Sequence, residues 1–210
     1  MKTTGLVFSV KVTIQNVVAS AKLMHSINLN AIVKAFPHVE YRPKVFPGLV
    51  FKLKKPKSCC LIFSTGRMVC TGTRSEKEAE RAIRKIVRNL KKEGIIITGS
   101  PEIAIQNIVA SVELGDVLID IEEAVYATHR LGKRIMYEPD QFPGAIYRME
   151  DPKVVFLLFS TGKLVCVGAK TEEDVRMAVR KLVTILDEND VLIRRTSPQS
   201  SVISKTTSLT

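Results

Sequence analysis

Cysteine and histidine are the residue types in this sequence that could bind a metal ion or serve as nucleophile and base. The four cysteines and three histidines stand at Cys59, Cys60, Cys70, Cys166, His25, His38 and His129. They form no C-x-x-C pair and show no ligand spacing, which argues against a zinc site. The sequence also lacks paired carboxylates, a nucleophile beside a base and a glycine-rich phosphate loop. We therefore expect a protein that is not an enzyme and has no metal or cofactor, with reduced cysteines such as Cys70 and Cys166 in a core.

An internal repeat sets the domain organisation. FSTGRMVCTG at 63–72 recurs as FSTGKLVCVG at 159–168, IQNVVAS at 14–20 as IQNIVAS at 105–111, and YRPKVFPG at 41–48 as YEPDQFPG at 137–144. The offset grows from 91 to 96 residues, so the second copy carries five extra residues within 112–136. We expect an N-terminal arm at 1–11, a first repeat at 12–99, a second repeat at 100–195, and a disordered Ser/Thr-rich tail at 196–210.

Each repeat is predicted to contain the same elements in the same order. In the first repeat these are a strand at 12–20, a short helix at 28–36, and strands at 48–54, 58–64 and 67–73. A long helix follows, starting at Ser75 with Glu78 three residues on, or at Thr171 with Asp174 in the second repeat. Its apolar residues recur at helical spacing, so one stripe packs on a sheet. A closing strand is predicted at 95–98 and at 191–194, and the fold class is α+β.

The strands are apolar on both faces, although two helices can cover only one side of an antiparallel sheet. In strand 58–64 we predict that Cys60 and Ile62 face the helices, which leaves Cys59, Leu61 and Phe63 on the other side. Arg67 and its counterpart Lys163 stand beside that second face. The sequence therefore predicts an uncovered apolar face with basic margins, and such a face implies a partner.

Charge narrows the choice of partner. The net charge is +11, and residues 1–100 hold 19 Lys and Arg against 5 Asp and Glu, while residues 101–210 hold 13 against 16. Such an excess is typical of proteins that bind a polyanion. No apolar stretch is long enough to span a membrane, MKTTGLVFSV is not a signal peptide, and surface binders of membranes usually use an amphipathic helix. A protein partner and self-association remain open, and the third candidate is the DNA minor groove. Its A·T floor presents only acceptors, and phosphates line its walls.

These duplicated motifs, taken in their order and spacing, resemble the core of the TATA-box-binding protein family over residues 12–195. Members of that family are general transcription factors. The resemblance implies two tandem pseudo-symmetric repeats that form a curved, saddle-shaped antiparallel sheet with helices on the convex side. It also implies minor-groove binding with DNA kinking, and members of the family are known to bend DNA by about 80°.

The resemblance assigns roles to individual residues. The wedges that open base steps would be Phe46, Phe63, Phe142 and Phe159. The minor-groove base contacts would be Asn16 and Asn107 as donors, with Val18, Val69, Val109, Val165, Thr71, Leu61 and Leu157. The phosphate contacts would be Lys52, Arg67, Arg74, Arg148, Lys163, Lys170, Thr65 and Thr161.

Two positions depart from the family pattern. Val167 is the counterpart of Thr71 and has no hydroxyl to donate, so readout by the two halves should be less symmetric. Ala145 stands where a larger aliphatic residue is usual beside the second wedge pair.

The resemblance also implies partners: double-stranded TATA-box DNA, transcription factor B and RNA polymerase. Glu138 and Asp140, before Phe142, are a candidate partner site, and solvated loop acids are the alternative. The short segment before the core favours an archaeal protein of the cytoplasm, or a nuclear one if the source is eukaryotic. The rival function is a structural module that self-associates through the concave sheet without binding DNA, and dimerisation without DNA fits both readings.

Overall fold

The computed structural model describes residues 8–130 and 135–194, without the side chain of Arg130. The predicted tail at 196–210 and most of the predicted arm at 1–11 lie outside the described residues. The first repeat contains β1 (Lys11–Lys22), α1 (Leu29–Ala35), β2 (Leu49–Leu53), β3 (Ser58–Ile62), β4 (Arg67–Thr73) and α2 (Glu76–Lys92). The second contains β5 (Glu102–Glu113), β6 (Val117–Ile119), α3 (Ile121–Arg130), β7 (Ile135–Met136), β8 (Ala145–Met149), β9 (Val154–Leu158), β10 (Lys163–Ala169), α4 (Glu172–Glu188) and β11 (Leu192–Arg194).

Nine strands form one curved antiparallel sheet in the order β2-β3-β4-β1-β5-β10-β9-β8-β7. The two repeats meet where β1 pairs with β5, and each repeat extends outward from that seam in the same strand order. The predicted α+β fold of two tandem repeats is confirmed, and the seam defines a pseudo-dyad.

One face of the sheet is covered by helices, and there the core forms. Residues that alternate along β3 and β4, such as Cys60, Ile62, Met68 and Cys70, are fully buried. The apolar stripe of α2 is buried against them, as helical spacing predicts. Two large aromatic residues, Phe51 in β2 and Phe156 in β9, are among the most buried side chains, and burial of each is worth about 1.5–3 kcal/mol.

The long helices α2 and α4 begin beside each other on the covered side. The Glu172 backbone N–H donates to Oε1 of Glu76 at 2.6 Å, and the Glu76 N–H donates to Oε1 of Glu172 at 3.3 Å. Each helix N-terminus therefore receives a carboxylate from the other repeat, which suits its partial positive charge. Within each helix, Ser75 and Thr171 are the N-caps, and only Thr171 with Asp174 forms a reciprocal capping box.

The predicted strand at 95–98 is wrong. In the second repeat, Arg194 of β11 pairs with Val117 of β6 in a two-stranded sheet. In the first repeat the residue equivalent to Arg194 is Thr98, and its N–H donates to a side chain, Nε2 of His25, at 3.0 Å. Without a backbone partner, 95–98 forms no ladder.

The region with the extra residues contains β6, α3 and β7. Asp120 caps α3 by accepting from the Glu123 N–H at 3.0 Å. The same two-fold pattern continues here, because the Ile27 and Ile119 N–H groups donate to the Ser64 and Ser160 carbonyls at 2.8 and 3.0 Å.

Candidate nucleic-acid interface

The sheet face opposite the helices, called here the bare face, is crossed by two rows of apolar residues. Direct cross-strand pairing places Val50, Leu61 and Val69 in one row. The equivalent row in the second repeat is Ile146, Leu157 and Val165. All six are half-buried, whereas their sequence neighbours are buried beneath the helices. The bare face is thus apolar and open to solvent. Among the described residues, no helix is long and apolar enough to cross a membrane.

Polar groups occupy the centre of the bare face because of two β-bulges. Gln15 is an extra residue of β1, since Ile14 and Asn16 pair with adjacent residues of β5. Gln106 is likewise an extra residue of β5. A bulge rotates the chain, so Gln15 and Gln106 reach across the seam on the bare side. Their Nε2 groups donate to the hydroxyls of Ser111 and Ser20, each at 2.7 Å.

Asn16 and Asn107 lie next to these bulges, and their carboxamides are oriented by glycines. Oδ1 of Asn16 accepts the Gly72 N–H, and Oδ1 of Asn107 accepts the Gly168 N–H, both at 2.8 Å. Both glycines have a positive φ, +92° and +106°, and lie where the β4 and β10 ladders shift register. A backbone N–H can only donate, so the atom facing it is the oxygen. The NH₂ group of each asparagine is therefore the end available to an acceptor.

Thr71 and Val167 break this symmetry. Oγ1 of Thr71 lies 3.1 Å from Oδ1 of Asn16 and must be the donor, because a carboxamide oxygen only accepts. Asn16 is consequently held by two donors and Asn107 by one. Across the strands, Thr71 pairs with Cys59 and Val167 with Val155, so the first half of the centre is more polar than the second.

Two pairs of phenylalanine rings stand at the outer ends of the bare face. Phe46 contacts Phe63 edge to face with centroids 5.9 Å apart, and Phe142 contacts Phe159 in the same way at the same distance. Phe46 and Phe142 are each 39% exposed, and the partner rings Phe63 and Phe159 are half-buried, so each end of the bare face presents an apolar pair to solvent. The rings lie over Gly48 and Gly144, where an added Cβ would come within 2.6 Å of Phe46 and 2.7 Å of Phe142.

The same turn presents the outer ring of each pair. The Phe46 N–H donates to the Arg42 carbonyl at 2.9 Å, and the Phe142 N–H donates to the Glu138 carbonyl at 3.0 Å. Glu138 also accepts from Nε2 of Gln141 at 2.6 Å, whereas Asp140 is exposed. The predicted partner residues thus lie in the turn that carries Phe142.

The predicted phosphate contacts are exposed and lie along the margins of the sheet. They are Lys52, Arg67, Arg74, Arg148, Lys163, Lys170, Thr65 and Thr161. Arg67 and Lys163 begin β4 and β10 on the same side as Val69 and Val165. The threonines lie in the tight turns that join β3 to β4 and β9 to β10.

Lys52, the counterpart of Arg148, has an acidic neighbour. Nζ of Lys52 lies 2.6 Å from Oε1 of Glu40. This hydrogen bond lowers the pKa of the Glu40 carboxyl and raises the pKa of Lys52, so both groups stay charged. The pair is exposed and therefore weak.

Three of the four cysteines are core residues, as predicted for Cys70 and Cys166. Burial raises the pKa of Cys166 to about 12, and a hydrogen bond with Cys70, together with burial, raises the pKa of Cys60. Cys59 lies on the bare face beside Lys52 and is half-buried, and burial raises the pKa of its thiol. The described residues hold no group of three or more His, Cys, Asp or Glu side chains that could bind a metal.

Part of the basic charge of the first repeat lies away from the bare face. Helix α2 carries seven Lys and Arg against three acidic residues, all three near its start. In α4 the cations are paired, with Arg180 2.7 Å and Arg176 3.6 Å from Glu173. Among the described residues, no carboxylate forms an ion pair with the cations of α2. The net charges of the two repeats therefore differ by more than the charges along their sheet margins do.

Comparison with known proteins identifies the family. The family model for "Transcription factor TFIID (or TATA-binding protein, TBP)" matches residues 11–93 and 102–189, one match for each repeat. The chain belongs to the TATA-binding protein family. A TATA-box-binding protein of Sulfurisphaera tokodaii is 48% identical over 179 residues, which are 85% of this chain and 88% of that protein. One of Pyrodictium occultum is 50% identical over 169 residues, or 80% and 82%.

A solved structure agrees with this family assignment. The structure of Methanococcus jannaschii TBP matches with a TM-score of 0.75 and 42% identity, over 85% of this chain and 99% of that chain. The family's tandem repeat is thus present here in sequence and in three dimensions.

Sequence reasoning missed several residues of the bare face of this TATA-binding protein family member. The repeated motifs IQNVVAS and IQNIVAS contain Gln15, Ser20, Gln106 and Ser111. The sequence-based assignment includes only asparagines and valines from these two motifs. The recurrence of the glutamines and serines was the available signal. Ala145 is a different case, because it is fully buried on the helix side of β8 opposite Leu158. Its small size changes core packing and not the bare face.

Proposed function

We propose that this protein is a general transcription initiation factor that binds A·T-rich promoter DNA, the TATA box, in the minor groove. The observation that carries the proposal is the two-fold arrangement of the bare face. Two oriented asparagine donors lie at its centre, apolar rows flank them, exposed phenylalanine pairs stand at its ends and cations line its margins. The relatives reported above are named TATA-box-binding proteins, which supports the same conclusion.

The centre of the bare face suits the floor of an A·T groove. Adenine N3 and thymine O2 are acceptors, and the NH₂ groups of Asn16 and Asn107 are donors whose orientation is already fixed. Val18 and Val109 pair across the seam with Asn107 and Asn16, so their methyl groups surround the donors. A guanine amino group at such a place would be buried without an acceptor, which costs about 1–3 kcal/mol.

The ends of the bare face suit DNA deformation. In this mechanism, Phe46 with Phe63 and Phe142 with Phe159 enter base steps and bend the duplex away from the sheet. Bending a site of this size costs on the order of 1–6 kcal/mol and unstacking adds a few more. Burial of the apolar rows, at about 25 cal/mol per Å², and counterion release by the six marginal cations offset this cost. Steps of the TA type deform most readily, so they favour binding even where no base edge is read.

The protein-bound bend then recruits the transcription machinery. We assign to the turn of Glu138 and Asp140 a contact with transcription factor B, after which RNA polymerase joins. The repeats at 12–99 and 100–195 act as the two halves of the DNA site. Such a factor works with the chromosome in the cytoplasm of an archaeal cell, and without DNA its apolar bare face can pair two copies.

A band-shift experiment tests the proposal. A TATA-box duplex and a G·C-substituted duplex are compared at one fixed salt concentration, with and without transcription factor B. We expect strong binding to the first duplex only, and a slower complex when transcription factor B is added. Stable self-association with equal, weak binding to both duplexes would favour the rival structural module.

A further inference from the structure

Thr71 and Val167 occupy equivalent positions near the pseudo-dyad, and they offer different chemistry to a base pair. Threonine and valine have nearly the same shape, so the two halves leave about the same room above the groove floor. Only the hydroxyl distinguishes them. The strand pairs beside them differ in the same sense, with Cys59 opposite Thr71 and Val155 opposite Val167.

The hydroxyl of Thr71 is committed as a donor within the protein. Its proton is directed to Oδ1 of Asn16 at 3.1 Å, an atom that also accepts the Gly72 N–H. What Oγ1 can still offer to a ligand is its acceptor capacity. The only donor on the floor of the minor groove is the N2 amino group of guanine.

We propose, on the basis of the proposed function, that Thr71 lets the first half of the interface accept one G·C pair near the pseudo-dyad. Val167 makes the second half reject such a pair, because a buried amino group there has no acceptor. A single G·C pair beside the centre of a promoter site is consequently bound in one orientation, with the first repeat over it. Val167 is the residue that determines this polarity.

Three duplexes test the proposal by equilibrium binding: an all-A·T site, a site with one G·C pair beside the centre, and a site with G·C pairs at both symmetric positions. Thr71 is hydrogen-bonded to Asn16, which lies at the seam, so the base pair that Thr71 contacts should lie close to the centre of the site. Base pairs are about 3.4 Å apart, and the G·C pair is therefore placed in turn at each position within about two base pairs of the centre. The wild-type protein should bind the singly substituted site within about twofold of the all-A·T site. It should bind the doubly substituted site about tenfold more weakly, the discrimination of one mismatched pair.

Isosteric variants complete the test. Thr71→Val should weaken binding to the singly substituted site about tenfold, and Val167→Thr should restore binding to the doubly substituted one. Thr71→Ser, which keeps the hydroxyl, is the matched variant and should keep the wild-type ratio of affinities for the singly substituted and all-A·T sites. If Thr71→Val instead weakens the all-A·T complex as much as the substituted one, the hydroxyl acts only by holding Asn16 or by donating to a base, and the inference is wrong. It is equally wrong if wild type loses as much affinity for one G·C pair as for two, whereas failure to bind the all-A·T site overturns the proposed function itself.

Discussion

Gly48 and Gly144 provide a test of the phenylalanine wedges that leaves the aromatic residues in place. Neither glycine has a positive φ, so alanine is compatible with the backbone at both positions. An alanine Cβ at position 48 would lie 2.6 Å from Cε1 of Phe46 and 3.0 Å from Cε1 of Phe63. At position 144 the corresponding distances to Phe142 and Phe159 are 2.7 and 2.9 Å.

The size of the effect follows from these distances. Carbon atoms in contact lie about 3.5–4.0 Å apart, so each outer ring must move by about 1 Å. Phe46 and Phe142 are 39% exposed and can turn into solvent, which keeps the loss of stability near the low end for overpacking, about 1 kcal/mol. A displaced ring pair no longer enters the base step as one wedge. We expect Gly48→Ala to remove roughly half of the DNA bend, since one of two wedges is lost. Affinity should fall about tenfold, equivalent to about 1.4 kcal/mol.

Energy transfer between dyes at the two ends of an A·T-rich duplex measures the bend, and urea unfolding measures stability. Gly94→Ala is the matched control. Gly94 follows α2, has a φ of +78° and has no atom within 4 Å of an added Cβ, so alanine there costs about 1–2 kcal/mol through backbone strain alone. It should destabilise the protein and leave the bend unchanged. If Gly48→Ala bends DNA like wild type while its stability drops as expected, the rings do not act as wedges.

Three further predictions concern the paired N-termini of α2 and α4, the cations at the sheet margin, and the cysteine of the bare face. Glu76→Ala should lower the free energy of unfolding by about 0.5–2 kcal/mol, and by more than Glu172→Ala, because Glu76 accepts the shorter hydrogen bond, 2.6 Å against 3.3 Å. Urea unfolding measures both variants, and no loss of stability in either would contradict the reciprocal capping of α2 and α4. Arg67→Gln should reduce the slope of log affinity against log salt by about 0.9 without altering the preference for A·T over G·C, and an unchanged slope would remove Arg67 from the phosphate contacts. Cys59 should be the one cysteine alkylated by iodoacetamide in the folded protein, slowly at neutral pH and faster in alkali because burial raises its pKa, and A·T-rich DNA should block the reaction. Labelling unaffected by bound DNA would place Cys59 outside the interface.

The repeat and the strand alternation made most of the fold predictable from the sequence. Because successive residues of a strand point to opposite faces, the apolar character of both Ile62 and Leu61 already indicated two apolar faces. The long helix has a single apolar stripe, which includes Ala79, Ile83 and Leu90, and this pattern indicated that helices cover one face of the sheet only. These three side chains are fully buried in the structure.

Features that depend on long-range pairing could not be predicted in the same way. The bulges at Gln15 and Gln106 arise from the register between β1 and β5, which no local pattern specifies. The side-chain contact of His25 with Thr98 replaces a ladder that the sequence of 95–98 by itself favoured. The donor role of Thr71 toward Asn16 likewise appears only when β4 and β1 are side by side.

Inosine substitution tests the central claim, that the bare face reads the minor groove of A·T-rich DNA, most directly. An I·C pair has the minor-groove face of an A·T pair and the major-groove face of a G·C pair, because inosine lacks only the N2 amino group of guanine. Affinity is measured for one promoter duplex in its A·T, I·C and G·C forms at the same salt concentration. We predict that the I·C duplex binds nearly as well as the A·T duplex and that the G·C duplex binds weakly. Equal, weak binding to the I·C and G·C duplexes would show that the protein reads the major groove, and would contradict the account.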